Sequence, residues 1–112
     1  TMKVRTTEAS SWIAARADFE TNGALHGRNE NLNDPAIGWT VSTGRLPADW
    51  VEVFFDDMTM ARIEHDEFFV VYSYGTPIAW HSPAGWEVPD VNYSPTTSRH
   101  QGQVRQGTEV PA

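Results

Sequence analysis

The chain has 112 residues, no cysteine, five Trp, five Phe and a formal net charge of −7. That length suits one domain with one real core. The lack of thiols excludes disulfides and thiolate metal sites and fits a reducing compartment. No apolar run approaches the roughly 20 residues that cross a bilayer. The expectation is therefore a soluble protein with no membrane contact, its core built on aromatic rings because Leu and Ile are few.

Met2 reads as the native start, and residues 3–102 as one domain. Residues 7–21 predict a helix, with Thr7 as cap and Ala9, Trp12, Ile13 and Phe19 at helical spacing. Asn22-Gly23 predicts its stop, because glycine tolerates the left-handed conformation. The breakers between 22 and 36 predict a loop. Ile37 to Ser42 predicts a short strand, Trp39 and Val41 on one face, Thr40 and Ser42 on the other.

Residues 46–58 fit two periods. As a strand, Val51, Val53 and Phe55 alternate with Glu52 and Phe54. As a helix, Trp50, Val51, Phe54, Phe55 and Met58 form one stripe and Asp49, Glu52, Asp56 and Asp57 stay outside. The helical period sorts apolar from charged residues better, with Pro47 at the first turn.

Phe68 to Ser73 predicts a strand. Thr76 to Trp80 continues it after Gly75, with Pro77 demanding an edge or a bulge. Ser82-Pro83-Ala84-Gly85 predicts a turn and Trp86 to Val88 a third strand, Trp80 facing Trp86 across the hairpin. Ser94-Pro95 predicts a cap and first residue of a short helix ending near Gly102. Residues 103–112 read as a polar, flexible tail. The fold class is thus α+β: a small antiparallel sheet of three to four strands, centred on hairpin 68–88, packed against an N-terminal helix and one or two short helices.

The charge is uneven. Residues 47–67 carry seven carboxylates against Arg62 alone. Such a face repels phosphate backbones and suits a basic protein partner, or only solubility. Glu64-His65-Asp66-Glu67 has metal-type side chains, but four consecutive residues do not converge on one ion, so a solvated loop explains them better. No metal and no cofactor is expected. The familiar hydrolase, nucleotide-binding and metalloprotease signatures are absent, and no catalytic residue is assigned.

Two constellations remain. Tyr72, Tyr74, Trp80, Trp86 and Tyr93 offer an aromatic surface or a core face. Thr96, Thr97, Ser98, Arg99, His100 and Gln101 form a polar cluster at a helix start, suited to an anion, to acid–base work by His100, or simply to capping.

The run Val71-Tyr72-Ser73-Tyr74-Gly75-Thr76-Pro77-Ile78-Ala79-Trp80, then Trp86-Glu87-Val88-Pro89-Asp90, then Tyr93-Ser94-Pro95-Thr96-Thr97-Ser98-Arg99-His100-Gln101, resembles a group of small proteins of unknown function encoded by phages of actinobacteria. Gly23-Ala24-Leu25-His26-Gly27 fits the same pattern. The resemblance implies a phage origin and expression in a bacterial cytoplasm, and transfers no catalytic residue.

The leading expectation is a noncatalytic accessory protein that binds a host protein through Asp49, Glu52, Asp56, Asp57, Tyr74, Trp80 and Tyr93. The first alternative is a nucleic-acid-associated domain stacking bases between Tyr72 and Gln101, with Arg99 and Arg105 on phosphates. The second is a small enzyme using His100 with Ser98 or Tyr93.

Overall fold

Phe68 to Tyr72 contains no polar alternation, and a strand without alternation is covered on both faces. In the computed structural model this run forms β4 (Phe69–Ser73), buried at every position. The structure describes residues 2–108, the side chains of Trp39 and Thr40 excepted. The expected faces of Trp39 and Thr40 therefore lie outside the described residues.

β4 sits inside a six-stranded sheet whose spatial order is its chain order: β1 (Met2–Lys3), β2 (Phe19–Glu20), β3 (Leu25–Asn29), β4, β5 (Thr76–Ser82) and β6 (Gly85–Glu87). β1 and β2 are parallel and the other pairs antiparallel. This corrects the expected antiparallel sheet of three to four strands. The sheet is mixed, larger, and has helices on both faces.

On one face α1 (Ala9–Ala14) and α4 (Pro95–Thr108) pack on Phe19, Leu25, Phe69, Val71 and Ile78. On the other, α3 (Ala48–Ile63) and the single turn α2 (Ile37–Thr40) cover Phe68, Val70, Tyr72 and Trp80. Burying each large ring stabilises by roughly 2–3 kcal/mol, so the aromatic core is divided between two layers.

Several expectations are corrected locally. The helix expected over 7–21 is a 3-10 turn (Thr6–Glu8) followed by α1, which ends at Ala14. Arg16 takes φ 50° there. Ala17 N–H donates to Trp12 O at 3.1 Å and Arg16 N–H to Ile13 O at 3.0 Å. This is the Schellman pattern, with arginine where glycine is usual. Phe19 is thereby released into β2, opposite Gly27.

The expected 22–36 loop contains β3, and the expected 37–42 strand contains α2. Asp34 starts that turn, accepting Ala36 N–H on its side chain at 2.9 Å and Ile37 N–H on its carbonyl at 3.1 Å. The β4–β5 turn holds Tyr74 (φ 53°) and Gly75 (φ 75°), both left-handed, as a two-residue I′ hairpin requires.

Pro77 is accommodated by a bulge. Val71 pairs with Ala79 but Tyr72 with Pro77, so Ile78 is extra, and Ile78 and Ala79 both enter the α1/α4 side of the core. Trp86 pairs with His81, not Trp80, and the two indoles lie on opposite faces of the sheet.

α4 begins as expected, with Ser94 Oγ accepting Thr97 N–H at 3.1 Å. It then continues through the segment read as a tail. Val104 is fully buried, and Gln103 Oε1 accepts Ser10 N–H at 3.2 Å. Residues 109–112 lie outside the described residues.

Candidate functional site

α3 explains itself from its sequence. Pro47 stands at its N-cap, where its missing N–H leaves no helix bond unmade, and Asp49 in the first turn and Arg62 in the last are favourable to the helix dipole. Phe54, Met58 and Ala61, at helical spacing, form the buried stripe. Phe54 meets Trp80 edge-on at 5.0 Å and Phe68 at 5.4 Å, which fixes the helix on β4 and β5. His65 (φ 54°) ends α3 in a second Schellman motif, Asp66 N–H donating to Ala61 O at 2.9 Å and His65 N–H to Arg62 O at 3.2 Å.

This packing leaves Asp49, Glu52 and Asp56 exposed on one line, continued by exposed Met60 and Ile63. Arg62, the single cation of residues 47–67, does not neutralise them. Its Nε donates to Leu32 O at 3.1 Å and its Nη2 to Asp34 O at 3.2 Å. Among the described residues the ion pairs are Arg5–Glu8 at 3.7 Å and Arg28–Glu30 at 3.9 Å, and neither uses an α3 carboxylate. On the opposite face of the sheet α4 carries Arg99 and Arg105 and no acid. The two helical faces therefore differ in sign.

Not every residue assigned to the partner surface lies on it. Trp80 is fully buried, and its indole N–H donates to Asp57 Oδ2 at 2.8 Å. Both serve the α3–β5 contact. Asp57 and burial together push Glu87 on β6 above the usual carboxylate range, burial being the larger cause. Tyr93 is half-buried, and its hydroxyl is enclosed with no partner among the described residues. Tyr74 is exposed at the β4–β5 turn, on a different part of the molecule from the α3 line. Of the five rings proposed as a stacking platform, Tyr72 and Trp80 are buried and Trp86 packs edge-on against Phe69 and His81, so Tyr74 alone is broadly open.

The polar cluster at the start of α4 is mostly internal. Ser73 Oγ lies 2.7 Å from His100 Nδ1 and 3.2 Å from Thr97 Oγ1, and Ser94 Oγ donates to Thr97 Oγ1 at 3.2 Å. Gln101 Nε2 donates to Val91 O at 2.9 Å. Burial holds the His100 imidazole below its usual range. His100 thus pairs with Ser73, not with Ser98 or Tyr93. Ser73 is 1% exposed. Ser98 and Arg99 face solvent and Thr96 is half-exposed. The adjoining cavity, lined by Ser73, Ser94 and Thr97 of this network together with Arg45, Thr76 and Tyr93, measures about 60 Å³, room for water rather than a larger ligand. The network stitches α4 to β4.

A family model described as a family of unknown function (DUF8033) matches residues 2–110. The chain belongs to this family. No match was found among curated proteins or among solved structures. For this member no described helix is long and apolar enough to cross a membrane. Among the described residues no three His, Asp or Glu side chains gather as a metal site would need.

Sequence reasoning missed one further group. His26 and Arg28 on β3, with Glu30 just past its end, lie together beside Tyr72. Their spacing of two was the signal, hidden inside a segment read as loop because of its glycines and asparagines.

Proposed function

We propose that this protein is a noncatalytic accessory protein of phage origin that works in the bacterial cytoplasm by docking on a basic host protein. The docking face is the outer line of α3: Asp49, Glu52 and Asp56, with Met60 and Ile63 as the apolar end. The observation that carries the reading is the line of carboxylates left without an internal cation, on a helix whose one arginine is committed to loop carbonyls. Exposed like charges repel each other and cost stability, and a cationic partner relieves that cost. Methionine and isoleucine in water beside them supply the desolvated part of a contact. Relative to the expectation from sequence, the face loses Asp57 and Trp80, which are engaged internally, and Tyr74 and Tyr93, which lie off the α3 line.

The test is a pull-down from actinobacterial host lysate with the full chain and with the Asp49→Lys/Glu52→Lys/Asp56→Lys variant. Capture of one basic protein by the wild type, weakened by salt and lost in the variant, is expected. Recovery of nothing above background at low and moderate salt, or equal recovery by the variant, sinks the reading.

A further inference from the structure

α3 covers β4 and β5, whereas Lys3, Glu20 and Arg28 on the same face of β1–β3 are exposed and His26 is half-exposed. Across that face the pairing register aligns Lys3, Glu20, His26 and Tyr72 in one row. A cleft of about 230 Å³ opens there, lined by His26, Arg28, Glu30, Val41, Ser42 and Tyr72. It is smaller than the roughly 300–1,000 Å³ typical of drug-sized ligands.

Its charges are half-paired. The Glu30 side chain is 6% exposed, yet among the described residues its hydrogen-bond donor is one neutral group, the Tyr72 hydroxyl at 2.8 Å. Arg28 Nε stands 3.9 Å from Glu30 Oε1, beyond hydrogen-bonding distance, and the Arg28 side chain is 58% exposed. A carboxylate has about four acceptor positions and a guanidinium five donors, so both retain capacity toward the cleft. A buried carboxylate with so little compensation is costly unless something brings donors to it. Burial, and next the Arg28 charge, hold His26 below its usual range, which favours the neutral imidazole. His26 lies stacked on Tyr72 at 5.0 Å, and with Val41 gives the cleft an apolar wall.

Two opposite charges a few ångströms apart, beside an apolar wall, match one small-molecule class. We infer that this cleft binds a free α-amino acid with an apolar or aromatic side chain, its ammonium on Glu30 and its carboxylate on Arg28. The site is separate from the α3 docking line, and the inference does not depend on that reading.

The experiment is an amide-shift NMR titration of the full chain with L-phenylalanine and L-leucine, each taken to about 10 mM, beyond the millimolar range of weak ligands. Shifts confined to residues 26–30, 41, 42 and 72 are expected. Phenylalaninamide, which lacks the carboxylate, and 3-phenylpropionate, which lacks the ammonium, are each expected to bind about tenfold or more weakly. Arg28→Gln, at a side chain 58% exposed, is expected to weaken phenylalanine by a similar factor, and Glu30→Gln likewise. No saturable shift with either amino acid, shifts centred elsewhere, or equal binding of the two truncated analogues to the wild type overturns the inference without relying on any variant folding.

Discussion

Gly107→Ala tests whether the C-terminal segment is helix docked on α1, and two opposed effects decide its sign. In a helix interior alanine is better than glycine by about 1 kcal/mol. Against that, a Cβ built on Gly107 falls 2.6 Å from the Ser10 carbonyl oxygen and 2.9 Å from Cβ and Cγ2 of Ile13. The first is backbone of α1 and the second a fully buried, β-branched side chain, so neither yields easily. Overpacking of this kind costs about 1–3 kcal/mol. The clash prevails, because the propensity gain shrinks near a helix end. The expected net loss is about 1–2 kcal/mol, a fall in Tm of roughly 4–12 °C for a domain of this size. Gly102, on the same helix, has nothing within 4 Å of its built Cβ. Gly102→Ala is therefore expected to raise Tm, by about 0.5–1 kcal/mol of stability. Thermal unfolding followed by far-UV circular dichroism reads both variants. If Gly107→Ala matches or exceeds the wild type, residues 103–108 do not dock as described.

Three further outcomes follow from named contacts. Trp80→Phe removes the donor to Asp57 and is expected to cost about 2–4 kcal/mol in denaturant unfolding, part of it recovered by adding Asp57→Asn; full stability in the single variant refutes the role of that bond. Ser73→Ala is expected to lose about 1–2 kcal/mol, and Ser98→Ala to stay near wild type, by the same assay; the reverse order would restore Ser98 as the partner of His100. Burial holds His26, His81 and His100 below the histidine range, so the unfolded chain binds more protons than the folded one and stability falls as pH drops through about 6.5. Glu87, pushed upward, acts with the opposite sign and offsets part of this in more acid solution. Tm measured from about pH 7.5 to 5.5 should fall, and less steeply in His100→Gln; a flat or rising profile contradicts the assignment.

Several elements are legible in the residues alone because local chemistry specifies them. Ser94-Pro95 announced the start of α4 because cap and first turn are short-range. The uninterrupted run at 68–72 announced β4, and the stripe of Phe54 and Met58 announced α3. The acidic line is legible in the same way, since charge is a property of residues and helical spacing places Asp49, Glu52 and Asp56 together. Tertiary structure decided the rest. α1 and α3 end on Arg16 and His65 in left-handed conformations, and nothing in those residue types signals it, so the first helix was read seven residues too long. Phe19 fits a helical period as well as a strand, and only pairing with Gly27, whose missing side chain makes room for the Phe19 ring, assigns it to β2. The open face of β3 came from the same cause. Which side chains share a cleft depends on strand register and on where α3 stops covering the sheet, and both are set by contacts between residues far apart in the chain.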